Sequence, residues 1–170
     1  MPKRNRRLVL QTILIVGEGA RDEAFLKHLK SLYVGRDSGV SIKIINAQGG
    51  SPYDIVIFTA RQIQNVSYDR AIVVMDTDVP WLQKTANKAK KHKIKLIGVE
   101  PCIEGLMLTI LNQNTRGSNH ECKQRIEQII NGDLTDKRSY QDHFPKDLID
   151  EKSESIPALK EIVSSLMKQE

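Results

Sequence analysis

Cysteine is scarce in this sequence: its 170 residues contain two, Cys102 and Cys122, with no Cys-x-x-Cys spacing and no paired histidines beside them. That excludes an evident zinc site and a disulfide framework, and it suits a reducing compartment. Long apolar runs are missing as well. The stretch MPKRNRRLVLQTILIV places basic residues before apolar ones, but Gln11 and Thr12 interrupt it. It ends at Gly17-Glu18 without a small-residue cleavage site. No segment approaches the roughly 18 consecutive apolar residues of a membrane span. The chain therefore reads as soluble and cytoplasmic, with no membrane partner. Aromatics are few, at 5%, in a composition otherwise ordinary for a globular protein, 39% hydrophobic and 28% charged. There is no internal repeat and no low-complexity tract. A net charge of +5 and a pI near 9.2 accommodate a polyanionic partner without requiring one.

What is present is an alternation of short apolar runs with helical periodicity, the pattern of βαβ units around a parallel sheet. Leu8 to Val16 reads as a buried strand. Glu18 to Tyr33 follows as a helix with Phe25, Leu26, Leu29 and Leu32 on one face. Ser41 to Ile45 is a second strand, closed by Gly49-Gly50, and Ser51-Pro52 supplies an N-cap and first-turn proline for a helix to about Asn65. Arg70 to Met75 is a third strand, Pro80 opens the next helix, and Lys93 to Val99 is a fourth strand. Helices follow at Ile103 to Leu111, Glu121 to Ile130, and from Pro157 onward. The polar segment from Asn131 to Ser153 is either an ordered loop over a site or a mobile connection.

Ligands of open parallel sheets bind beyond the carboxyl ends of the strands, and acidic residues gather there. Glu18 stands directly after the first strand within Gly17-Glu18-Gly19, and Asp22 lies one helical turn later. Asp76 and Asp78 follow the third strand and share a side if the chain stays extended. Each acid alone reads more simply as a helix N-cap or a solvated loop position, Asp78 as a cap for the helix at Pro80 in particular. Together they suggest carboxylates that either take raised pKa values or hold a hard cation, Mg²⁺ or Mn²⁺.

The run ILIVGEGARDEAFLKHL followed by AIVVMDTD resembles the paired motifs of Toprim domains in topoisomerases, primases and OLD-type nucleases. The likeness is strongest to small RloB-like Toprim proteins, whose Pro-Cys-Phe-Glu stretch is matched here by Pro101-Cys102-Ile103-Glu104. The resemblance covers about residues 8 to 112. It implies a Toprim-like (Rossmann-like) α/β fold with a mostly parallel, four- to five-stranded sheet flanked by helices. Residues 1–170 would form a single such domain, with a C-terminal helical extension over about 120–168. By the same resemblance Glu18 is a metal ligand or general acid/base, Asp76 and Asp78 are metal ligands, and Asp22 is a further acidic ligand. Glu104 is a candidate for a second metal or for positioning water. The implied activity is Mg²⁺- or Mn²⁺-dependent phosphodiester hydrolysis in DNA or RNA, in phage defence and with a separate ATPase subunit. A non-catalytic module binding nucleic acid or a partner is the alternative, and a homodimer is left open. The helix start, Gly-Ala-Arg-Asp-Glu, departs from the GxTE of RloB-like chains. The late lysine of OLD-type nucleases has only Lys123 and Lys146 as unaligned candidates.

Rival motifs fit less well. Asp22 stands where GxGxxG needs its third glycine, Gly-Lys-Ser/Thr is absent, and Pro80 breaks the dehalogenase-type DxDx(T/V) pattern. A receiver domain would need a second acid after the first strand and a Lys-Pro after a fifth. Lys84, Lys88, Lys90, Lys91, Lys93 and Lys95 read as a solvated helix face, or else as a phosphate-neutralising surface near the acids. Lys3, Arg4, Arg6 and Arg7 form a basic arm or a soluble tail. His28, His92, His120 and His143 lack ligand spacing and read mostly as surface residues, with His120 placed to reach the acids. Trp81, Cys102 and Cys122 read as packing residues, Cys102 with a thiol pKa open to lowering at a helix start.

Overall fold

The fold is that of a computed structural model, which describes residues 8–170. The basic residues Lys3, Arg4, Arg6 and Arg7 lie outside the described residues. Four strands, β1 (Gln11–Gly17), β2 (Val40–Asn46), β3 (Arg70–Asp76) and β4 (Ile94–Val99), form one all-parallel sheet in the order β2-β1-β3-β4. The arrangement is α/β and Rossmann-like. Strands β1 and β3 occupy the middle and are buried on both faces, which is why they read as unbroken apolar runs. Edge strand β2 alternates instead, with Ile42 and Ile44 buried and Ser41 and Lys43 exposed.

The sheet divides its side chains by parity. Leu14, Val16, Ala71, Val73 and Met75 point to one face, covered by α2 (Pro52–Asn65) and α3 (Gln83–Lys91). Ile13, Ile15, Ile72, Val74, Ile97 and Val99 point to the other, under α1 (Ala20–Tyr33), α4 (Ile103–Ile110), α5 (Asn119–Ile130), α6 (Lys146–Ser153) and α7 (Pro157–Ser165). This second cluster runs without a break from the sheet into the C-terminal helices. Among the described residues no helix is long and apolar enough to cross a membrane.

Several boundaries differ from the sequence reading. Leu8 is 75% exposed and lies outside β1. Helix α1 starts at Ala20, leaving Glu18 in the preceding turn. The Ser51 cap forms as expected, its hydroxyl accepting the Asp54 N–H at 3.2 Å. Pro80 does not open a helix: Leu82 is the N-cap of α3, because Trp81 is pinned elsewhere. Its Nε1–H donates to the Asp76 carbonyl at 3.1 Å, and its ring packs over Gly98 of β4. Residues 131–153 hold a 3₁₀ turn (Lys137–Tyr140) and α6, and they are anchored rather than loose. Tyr140, Phe144 and Ile149 are fully buried, with Tyr140 and Phe144 edge-on to Phe25 at 5.4 and 5.2 Å.

His28 belongs to this aromatic cluster and not to the surface. It is 1% exposed, and its Nε2 donates to the Phe144 carbonyl at 2.8 Å, a geometry that assigns the proton to that nitrogen. Burial holds the imidazole below its ordinary 6.5. The unfolded chain then binds more protons below about pH 6.5, so this group's contribution to stability is lost as pH falls. His28→Phe should destabilise the protein at pH 7.5, where the Phe144 carbonyl loses its donor, by about 1–3 kcal/mol. Chemical denaturation should show the gap to wild type narrowing towards pH 5; a gap constant with pH contradicts a buried neutral imidazole.

Candidate functional site

β1 and β3 are neighbours, but the chain leaves them in opposite directions, to β2 on one side and β4 on the other. Their carboxyl ends therefore flank the point where an open parallel sheet makes its crevice. Glu18 sits in the turn after β1 and Asp76 is the last residue of β3. The Glu18 carboxylate reaches across to accept the Asp76 N–H at 3.3 Å. Asp22, in the first turn of α1, is 7% exposed and accepts the Gly19 N–H through Oδ2 at 3.2 Å. Glu104, in the first turn of α4, is 3% exposed. Gly17 permits this convergence: a Cβ there would stand 2.7 Å from Asp22 Cβ.

Asp78 behaves differently. The chain bends after Asp76 and Asp78 is exposed, but its charge still raises both Asp76 and Glu18. It does not cap α3. Its oxygens accept from the Val79 N–H at 2.9 Å and from Asn119 Nδ2 at 2.7 Å.

The electrostatics bind these residues into one unit. Burial, then Glu18, Asp22, Glu104 and Asp78, push the Asp76 carboxyl up to about 8. Burial and the charges of Glu104 and Glu18 raise Asp22 to about 7 against the Gly19 hydrogen bond. Glu18 is raised by burial, with Asp78 and Glu104 adding to the effect and the Asp76 N–H and Lys123 opposing it. One oxygen each of Asp22 and Asp76, both Oδ1, is buried with no hydrogen-bond partner. Unpaired buried carboxylate oxygens are costly unless a proton or cation meets them. Hard oxygen donors of this kind suit Mg²⁺ or Mn²⁺. Among the described residues no group of three or more His, Cys, Asp or Glu side chains forms a ready-made metal cage.

Sequence reasoning missed the residues that tie the acids to their surroundings. Arg21 Nη1 lies 3.5 Å from Glu104 Oε1, an ion contact without hydrogen-bond alignment, while Nη2 donates to Glu127. Asn119, Lys123 and Glu127 recur every four residues along α5, so one helix face addresses Asp78, Glu18 and Arg21 in turn. That spacing was the available signal. Of the two candidate lysines, Lys123 carries a charge that favours the ionised Glu18, whereas Lys146 pairs with Asp150 at 2.6 Å. His120 is exposed and its charge bears on Glu121, outside the acidic unit. Cys102 and Cys122 are buried packing residues, and burial pushes the Cys102 thiol up to about 12, opposite to the lowering expected at a helix start.

Asp22 and Asp76 ionise near 3.8 when unfolded but near 7 and 8 when folded. The folded chain holds the extra protons between those limits, so metal-free stability falls as pH rises through that window. Each proton contributes a slope of up to about 1.4 kcal/mol per pH unit. Urea denaturation in chelator should show Asp76→Asn flattening this fall between pH 6 and 8; an undiminished slope contradicts the buried cluster. Comparison with protein-family models, curated proteins and solved structures finds no match, so the chemistry of the cluster is read from its own residues.

Proposed function

We propose that the chain is a Mg²⁺- or Mn²⁺-dependent nuclease of the Toprim type, hydrolysing phosphodiester bonds in DNA or RNA. The observation that carries this reading is the meeting of Glu18 and Asp76 at the β1/β3 crevice, with carboxylate oxygens of Asp76 and Asp22 left unpaired. Asp76 and Asp78 would hold the cation, with Asp22 and Glu18 completing the acidic surround. When bound, the ion would neutralise the cluster and stabilise charge developing on a phosphate. Glu18, whose carboxyl is raised from its ordinary value mainly by burial, would be the group that holds or releases a proton beside the cation. Arg21 stands beside Glu104 and donates to Glu127. The resemblance adds phage defence and a separate ATPase subunit to the same proposal, and the sparse, unpaired cysteines add a cytoplasmic setting.

A second reading, a module whose site is completed by a partner or substrate, is favoured by one feature. Asp78 is exposed, and its carboxylate oxygens are already taken up by Asn119 and the Val79 N–H.

Cleavage of labelled single-stranded and duplex oligonucleotides should depend on Mg²⁺ or Mn²⁺. Glu18→Gln and Asp76→Asn should each reduce the rate by about 10²-fold or more, with circular dichroism unchanged. Full activity in either variant would sink the nuclease assignment. Cleavage appearing only with an added ATPase subunit would favour the second reading.

A further inference from the structure

From Val79 to Val99 the chain carries six lysines and no acidic residue. Helix α3 presents most of them: Lys84, Lys88 and Lys91 fall at spacings of four and three on one side, and Lys90 on another. Lys93 lies in the turn before β4, and Lys95 points to the other face of the sheet, towards α7. Among the described residues only Lys95 of the six makes an ion pair, with Glu161 at 3.4 Å, whereas Arg21, Lys27, Arg138 and Lys146 are all paired. Lys84 instead lies 4.6 Å over the Tyr53 ring. Unpaired like charges on one helix oppose folding, so this surface is not explained by stability.

Between this stripe and the acids runs the segment Val79-Pro80-Trp81-Leu82. Val79 is 52% exposed and Leu82 60% exposed, two of the few large apolar side chains on the surface. Thr77, Val79, Pro80 and Trp81 line a shallow depression of about 240 Å³. Trp81 fixes the segment in place, since its Nε1–H is bonded to the carbonyl of Asp76 itself. The apolar ridge and the lysine stripe are thereby held at a set distance from the acidic crevice.

We propose that the exposed apolar segment Val79–Leu82 and the lysines of α3 form a track for single-stranded nucleic acid leading to Asp76. Lysines spaced along a helix can meet successive phosphates, and the exposed Val79 and Leu82 beside them offer apolar contact to unstacked bases where single-strand binders more often use aromatic platforms. A duplex offers no base faces to Val79 and Leu82. The inference deepens the nuclease reading by naming the form of its substrate, but binding to the track does not depend on hydrolysis.

The test uses Asp76→Asn protein in chelator, so that cleavage plays no part. Fluorescence anisotropy would follow labelled single-stranded and duplex DNA and RNA of equal length as salt is varied. Single strands should bind more tightly than duplexes. Adding Lys84→Gln, Lys88→Gln and Lys91→Gln together should weaken binding at least about tenfold and reduce the salt slope by ~2, as expected for three phosphate contacts to a single strand. Leu82→Ser should weaken single-strand binding while leaving the salt slope unchanged. A control pair, Lys27→Gln with Lys146→Gln, should have no effect, and thermal melting establishes that each variant is folded. The proposal is overturned if the triple variant binds like its parent, if duplexes bind as tightly as single strands, or if oligonucleotides fail to bind while phosphatidylserine vesicles do. Loss of nuclease activity with this binding intact would count against the hydrolytic reading alone.

Discussion

Strands β1 and β3 pair in register from Ile13 with Arg70 to Val16 with Val73, buried on both faces, and the placement of the site follows from that pairing. The chain leaves β1 for β2 on one side and β3 for β4 on the other, so neither helix connection closes over the shared carboxyl end. Glu18 and Asp76 are brought within reach of each other by backbone geometry before any side-chain preference acts. The helices then add their own acids. Gly17 lets α1 approach closely enough to set Asp22 behind the turn, and α4 brings Glu104 from the opposite flank.

This convergence opposes folding. Carboxylates gathered in a partly buried crevice raise one another's pKa values, and the protein leaves oxygens of two of them without donors. Some of the strain is relieved within the chain: the Asp76 N–H serves Glu18, the Gly19 N–H serves Asp22, and Arg21 stands beside Glu104. A fold selected for stability alone would be improved by amides or apolar residues at these positions. Carboxylates perturbed in this way by burial and by one another cluster at functional sites.

Much of this was legible in the sequence because it rests on periodicity and local chemistry. The apolar runs of β1 and β3, the face of α1, and the Ser51-Pro52 start of α2 follow from burial patterns and capping rules. The acids after the strands were visible because strand ends are visible. What escaped depends on contacts between distant segments. Pro80 carries a helix-start signal, but Trp81 holds its neighbours extended by bonding Asp76 and covering Gly98. Residues 131–153 look polar because their burial rests on single anchors, Tyr140, Phe144 and Ile149, too widely spaced to form a stripe. His28 looks like a surface histidine until Phe144 supplies its acceptor. Arg21, Asn119 and Glu127 gain their roles only when α5 lies against the ends of β1 and β3.

The central claim is that the carboxylates at the ends of β1 and β3 form a divalent-cation site. Calorimetric titration of Mg²⁺ and of Mn²⁺ into the purified protein, beside an Asp76→Asn, Asp78→Asn double variant, tests it most directly. The account predicts saturable binding by the wild type that disappears in the variant. Equal binding by both proteins, or none by the wild type at millimolar concentrations, would contradict it.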